Sequence, residues 1–287
     1  MASVPTPGAE PYHITSAGGA VWFTELRGNR VGRIAPSGAI TEYALPHPGS
    51  QPHGIAAASD GNLWVAESSG GRIARITPGG EIAEFPLPPG SGPAHTVQGA
   101  DGSIWFTESG THRIGRMSLA GQVLAEYPVP TRKTNLNGIA ATPDGAVWFV
   151  EPDANRIGRA TPDGAIREFP IPTPRSSTAH LVGMPDGSAW FAENGASRIG
   201  HVTPDGRITE RRLPSAGGAS TVAAGPDGTL WVTEQRAGRV AGIDTSGALV
   251  EYELPGTDPV GVAIGRDGVV WVAEDDGNGI ARLLPGP

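Results

Sequence analysis

His53, His95 and His180 recur near one place in a repeated hairpin. In the copy from Pro52 to Glu67 (PHGIAAASDGNLWVAE), His53 opens a short apolar run. Asp60-Gly61 then turns the chain, and Leu63-Trp64-Val65-Ala66-Glu67 brings it back. Counted from the turns, that place reads Tyr12, His53, His95, Asn137, His180, Ser220 and Val260 along the chain. Repeated imidazoles at one rim suit metal ligation or proton transfer near neutral pH. They equally suit hydrogen bonding to loop carbonyls around a water-filled channel, and the residues alone leave both readings open. His13, His47, His112 and His201 fall elsewhere and are expected at the surface, His13 close to the rim.

Two residues before that place the copies read Glu10, Gln51, Pro93, Asn135, Thr178, Gly218 and Asp258. Four residues after each tryptophan they read Leu26, Ser68, Ser109, Pro152, Asn194, Gln235 and Asp275. Carboxylates therefore gather in the first and last copies. Asp258 and Asp275 flank the turn at Asp267-Gly268, so one hairpin should bring them together, with Glu10 near if the copies form a ring. Such a set suits a hard, oxygen-liking divalent cation, Mg²⁺ first and Ca²⁺ next. Solvated loop aspartates are the competing reading. In the catalytic reading His53 or His95 is the general base and Tyr12 a hydrogen-bond donor. His180, Asn137 and Ser220 then face a small-molecule substrate at the channel mouth.

The elements that must hold these residues follow from the tryptophans. Trp22, Trp64, Trp105, Trp148, Trp190, Trp231 and Trp271 are spaced by 42, 41, 43, 42, 41 and 40 residues. A period of this length marks a repeat architecture. Each copy holds four short runs bounded by Gly, Pro, Asn and Asp, which implies antiparallel strands and almost no helix. The expected fold is all-β: a seven-bladed β-propeller of four-stranded antiparallel blades, one domain over residues 1–287. The last copy stops after its third strand, so an N-terminal strand near Ala2 should complete it and close the ring. Glutamates three residues after each tryptophan (Glu25, Glu67, Glu108, Glu151, Glu193, Glu234, Glu274) recur too evenly for a site. They read as scaffold, accepting backbone N–H groups or pairing with third-strand arginines such as Arg30 and Arg72.

Composition excludes several classes. With 43 Gly and 28 Pro at fixed places, the chain reads as turn-rich rather than low-complexity. Cysteine is absent, which removes disulfides and thiolate metal sites. A net charge of −8 argues against a nucleic-acid partner. No apolar run has membrane-spanning length, and the first residues carry no basic-then-apolar leader pattern. A cytoplasmic monomer is the expectation.

Four patterns carry a family resemblance across the whole chain: P-H-G-I at 52–55, the D-G-x-x-W-[FV]-x-E hairpins, the I-G-R strands, and phrases such as Ile166-Arg167-Glu168-Phe169-Pro170-Ile171-Pro172. They resemble the virginiamycin B lyase (streptogramin lyase) family. The resemblance implies a seven-bladed propeller and metal-assisted opening of a cyclic depsipeptide ester by elimination. It places the family's metal ligands on Asp258 and Asp275. The family's base falls on Val260, which cannot take a proton, and its substrate histidine on Ser220. The expected activity is therefore lyase-like or lactone- or ester-opening, on a small cyclic or ester-containing molecule other than a streptogramin, with chemistry moved to the arc of Tyr12, His53 and His95. The alternative is a non-catalytic propeller that binds a ligand, peptide or protein.

Overall fold

Each copy folds as a meander because its turns fall where glycine can take a positive φ. Gly61 (φ 83°) and Gly80 (φ 92°) turn the second copy, joining strands Pro52–Ala57, Leu63–Glu67, Arg72–Ile76 and Ile82–Pro86. The computed structural model describes residues 1–254 and 258–284. It forms seven four-stranded antiparallel sheets whose first strands neighbour one another in a ring. The one helical element among the described residues is a 3₁₀ turn at Gln235–Ala237. This is the expected seven-bladed propeller.

Closure takes the expected route through very few residues. Ala2–Ser3 is the outer strand of blade 7, with Ala2 paired to Ile280 and Ser3 to Gly279. Asn278, held at φ 44°, adds a staple. Its side chain donates to the carbonyls of Val4 (3.3 Å) and Thr6 (3.0 Å) and accepts from Ala9 N–H (2.8 Å). Asn29 and Asn155, also at positive φ, bind their own inter-blade linkers in the same way. The ring-closing joint is thus built like an ordinary linker.

Packing between strands explains the repeated phrases. Where a phenylalanine follows the tryptophan (Phe23, Phe106, Phe149, Phe191), the third strand faces it with glycine (Gly32, Gly115, Gly158, Gly200). A Cβ on any of these glycines would lie 2.0–2.2 Å from the ring. Where valine follows instead (Val65, Val232, Val272), the facing residue is alanine (Ala74, Ala241, Ala281). Volume is exchanged within each pair, as a close-packed interior requires.

Glu67, Glu108, Glu151, Glu193 and Glu234 do not form the expected arginine pairs. Arg72, Arg113, Arg156, Arg198 and Arg239 bridge instead to fourth-strand glutamates: Glu84, Glu126, Glu168, Glu210 and Glu251. Several of those acids also accept a linker N–H, as Glu84 does from His47 and Glu168 from Thr131. Glu126 faces the Pro88-Pro89 linker, which has no N–H to offer, and its Oε1 has no partner. The second-strand glutamates are fully buried behind this layer. Burial, with a neighbouring fourth-strand carboxylate adding to it, pushes Glu25, Glu151 and Glu193 up to about 8. The same two causes push Glu67, Glu108 and Glu234 up to about 7. A neutral carboxyl is a donor, so a protonated Glu193 can bond Glu210.

The sign of the pH effect follows. These folded values lie above the ordinary 4.5, so the stability they confer is complete below 4.5 and is lost as pH rises through about 7 to 8. Melting temperature is expected to fall across that window, and Glu193→Gln should make the fall shallower. Thermal melts of both proteins on a pH series check this; parallel curves would refute it.

Candidate functional site

The pairing of first and second strands sets which side chains share a layer in the channel. Ile14, Ile55, Thr96, Ile139, Leu181, Val222 and Val262 each sit opposite the residue that follows the tryptophan. One residue earlier the blades present His13, Gly54, His95, Gly138, His180, Thr221 and Gly261. Two residues earlier they present Tyr12, His53, Ala94, Asn137, Ala179, Ser220 and Val260. Counting from the turns therefore merged two layers. His95 and His180 belong with His13, while His53 belongs with Tyr12, Asn137, Ser220 and Val260. The expectation that His13 is a surface residue fails for the same reason. The hairpin turn of blade 1 is one residue shorter, which moves His13 into the inner layer.

Four imidazoles and one phenol pack together there. His13 Nε2 lies 2.9 Å from His180 Nε2, linking blades 1 and 5 across the channel. Ring centroids are 4.8 Å apart for His13–His95, 4.9 Å for His53–His95 and 4.4 Å for Tyr12–His53. Ile55 N–H donates to His13 Nδ1 (3.2 Å). Nε2 of His13 must then carry the proton and donate to His180. Threonines on the second strands fix the backbone. Thr24 Oγ1 accepts from His13 N–H and donates to the carbonyl of His53 (2.8 Å). Thr107 likewise bridges His95 N–H and the carbonyl of Asn137. The glycines between make room: a Cβ on Gly54 would meet Cα and Nδ1 of His95 at 2.6 Å.

Burial holds these rings neutral. It lowers His53 and His180 to about 4, and lowers His13 and His95 well below the ordinary 6.5 with help from the neighbouring imidazoles. Tyr12 is raised by burial and by Asp275, so it keeps its proton. A cavity of about 20 Å³ lies among Tyr12, His13, His95, Asn137, His180 and Ser220, with Val260 on its wall. That is room for roughly one water. The nitrogens of His13, His95 and His180 lie within 4.8 Å of one another, the one such group among the described residues. A metal on His13 Nε2 would force the proton onto Nδ1, against the Ile55 N–H donor. The layer is better suited to a hydrogen-bonded plug than to an ion.

Above the plug, the rim of blades 7 and 1 is acidic. Asp275 N–H donates to the carbonyl of Asp258 (3.3 Å), so the last hairpin does bring these two residues together. Glu10 and Asp258 occupy equivalent places at φ 53° and 69°, as Gln51 does at 51°. Left-handed backbone is uncommon for such residues and aims their side chains from fixed points. Half-buried Asp275 is pushed up to about 6 by burial and then by Glu10, Asp258 and Asp276, against one opposing cation, Arg27. Arg27 pairs with Glu10 at 2.5 Å. The three carboxylates are electrostatic neighbours, yet their oxygens do not converge as closely as the imidazoles. His13 was missed in the sequence, and the signal that finds it is hairpin register.

The virginiamycin B lyase family model matches residues 1–219 and 180–286. The chain belongs to the virginiamycin B lyase family. A streptogramin B lyase structure superposes with a TM-score of 0.92 at 32% identity, covering 98% of this chain and 95% of that one. A catalytically inactive histidine-to-alanine virginiamycin B lyase from Staphylococcus aureus with quinupristin gives 0.91 at 34%, covering 98% of each. The virginiamycin B lyase of Nocardia farcinica (strain IFM 10152) is 36% identical over 59 residues, so the chain spans 21% of that relative's length.

In this family member the glycine positions of the inner layer are as specific as its histidines. Gly54→Ala is expected to destabilise by about 1–3 kcal/mol through overpacking against His95, with φ strain playing no part. A lower melting temperature than for Ala56→Gly checks it; an unchanged one would show that His95 can retreat.

Proposed function

We propose that this family member is a lyase-like enzyme that opens an ester or lactone bond of a small cyclic or ester-containing molecule at the rim of blades 7, 1 and 2. The observation that carries the reading is the acid cluster around Asp275, facing Tyr12 and backed by neutral imidazoles. Four carboxylates against one arginine repel one another, and a divalent cation relieves that repulsion. The donors are hard oxygens, which fits Mg²⁺. Asp258 and Asp275 would hold it, with Glu10 joining if Arg27 gives way. When bound, the cation would polarise the ester carbonyl and make its carboxylate a better leaving group.

The remaining steps belong to side chains. His53 is half-buried, while His95 is 4% exposed and packs behind it, so a substrate at the rim reaches His53 first. In the proposed elimination His53 takes the proton from carbon, that bond pair becomes a carbon–carbon double bond, and the ester C–O bond breaks to release a carboxylate. Tyr12 donates a hydrogen bond to the ester oxygen. His95 is a positioning residue, and Asn137, His180 and Ser220 close the floor on which the substrate rests. A base near 4 is weak. This weakness favours a second reading, a propeller that binds the same ligand without turning it over.

Mg²⁺ or Mn²⁺ is expected to raise the melting temperature of the wild type in a saturable way and to leave Asp275→Asn unmoved. His53→Ala should retain the ion-induced shift and lose about 10²–10⁴-fold in turnover of a depsipeptide or lactone substrate. No shift with Mg²⁺, Mn²⁺ or Ca²⁺ would remove the metal reading. Unchanged turnover in both His53→Ala and His95→Ala would remove the base. Ligand binding without turnover would establish the binding protein.

A further inference from the structure

The third-strand residue paired with each tryptophan is basic in every blade but one. Register sets an arginine there in blades 1, 2, 3, 4 and 7, a histidine in blade 5 and Gly242 in blade 6. Four of these arginines lie on their own tryptophans. The guanidinium carbons of Arg33, Arg116, Arg159 and Arg282 are 5.5–5.6 Å from the indole centroids. Arg116 and Arg159 also bridge to the acids of their blades' first turns, Asp101 and Asp144. Blade 6 keeps the tryptophan (Trp231) and the acid (Asp227) and lacks the guanidinium between them.

The seam between blades 6 and 7 is open at that place. A cavity of about 690 Å³ lies there, with Trp231 and Gly242 on one wall and Ile264 on the other. That volume lies within the range of small-molecule sites. Blade 7 contributes to the opening, because its fourth strand arrives from the N-terminus and no turn joins it to the third. In blades 2 and 3 that turn closes the seam, bringing Gly80 and Gly121 against Tyr43 and Phe85. Tyr252 lies on Trp231 with centroids 5.7 Å apart. The aromatic place in this seam is therefore filled, and the guanidinium place is the one left open.

The lining is acidic. Asp227, Asp244 and Asp267 line the cavity against one cation, Arg266. Asp227 accepts from Thr229 N–H (3.0 Å) and Thr229 Oγ1 (2.9 Å), bonds that hold it below the ordinary carboxylate value and keep it ionised. Asp101 takes the same two bonds from Ser103 and its arginine in addition. The turn bonds thus leave room on such an acid for a guanidinium. Among the described residues neither Arg266 nor any other cation pairs with Asp227 or lies over the Trp231 ring.

We propose that this seam binds a small molecule bearing a guanidinium group. The group takes the place over Trp231 that Arg116 and Arg159 take over their tryptophans, with Asp227 as its carboxylate partner. A planar guanidinium can lie on an indole while its N–H fork meets a carboxylate, whereas an ammonium is a point charge with no plane to stack. Gly242 keeps the place open, since even a Cβ there would stand 3.1 Å from the indole. Asp244 and Asp267 add attraction for positive charge, and Val250 and Ile264 offer apolar contact to the rest of the ligand. The site is separate from the rim and does not depend on any lyase activity.

Isothermal titration with agmatine tests it. Saturable binding is expected, weaker by about tenfold for 1,5-diaminopentane, which carries ammonium groups only, and lost for the neutral N-butylurea. Gly242→Arg supplies the guanidinium from within the chain and should abolish binding. Gly242→Ala adds the same Cβ without filling the place and should keep the affinity within about threefold, which separates occupancy from distortion. Asp227→Asn keeps the turn and should weaken agmatine by about tenfold. No saturable binding to the wild type, equal affinity for 1,5-diaminopentane, or unchanged affinity in Gly242→Arg or in Asp227→Asn would each overturn the proposal.

Discussion

Seven twisted sheets must close on themselves, and at one seam the closure rests on two antiparallel pairs, Ala2 with Ile280 and Ser3 with Gly279. Every other blade is continuous in sequence and carries a fourth strand of five or six residues. The short seal has a consequence at each end of the channel. At one rim it sets Glu10, the last residue of the entering linker, beside Asp258 and Asp275 of the final hairpin. At the other it leaves Trp271 without the fourth-strand ring that lies on Trp22, Trp64, Trp105, Trp148 and Trp231. The two most distinctive chemical features outside the channel thus arise from one topological joint.

Within the channel the governing constraint is space. Seven strands converge on a narrow axis, and three imidazoles in one layer fit only because Gly54, Gly138 and Gly261 share that layer. The glycines surrender side-chain contacts, and the histidines gain neighbours close enough to hydrogen-bond across the ring. Desolvation then keeps those rings uncharged, so the layer is held by hydrogen bonds and ring contacts instead of charge. Protonation is opposed because four nearby positive rings would repel in a medium that screens them poorly. The stability of this layer is complete above the ordinary imidazole value of 6.5 and is lost as pH falls toward about 4. The buried glutamates behave oppositely, which confines the fold's best range to the mildly acidic interval between.

Blade number and strand order were legible in the sequence because each is written seven times, and ring closure because the last copy lacks its own fourth strand. The Phe–Gly and Val–Ala exchanges emerge only once the second and third strands are paired. The layer of each histidine was not legible. A strand's side chains alternate, so an error of one residue moves a group to another layer. The register shifts at Pro11/Ile14, Pro52/Ile55, Pro93/Thr96 and Thr178/Leu181 fall between the turns and the rim. The proximity of Asp258 and Asp275 survived because a hairpin imposes it. The partners of Glu67, Glu108, Glu151, Glu193 and Glu234 did not, because the arginine opposite each one has a better-placed carboxylate on its other side.

The acidic rim then needs a reason to persist. A fold whose linkers are tied down by asparagine and glutamate at almost every blade does not need Asp258, Asp275 and Glu10 for closure, since Gln51, Gly92 and Gly218 serve the equivalent backbone role. Their carbonyls accept the same N–H bonds whatever the side chain. Replacing amide and glycine by carboxylate at that place adds repulsion with no new backbone bond, and this repulsion adds to burial in raising the proton affinity of Asp275. Arg27 compensates for Glu10 only in part, because its side chain is 74% exposed and screened by water. Structural economy would favour uncharged residues here, as in blades 2, 3 and 6. The proposed divalent cation would offset that local cost, since positive charge is what the geometry rewards.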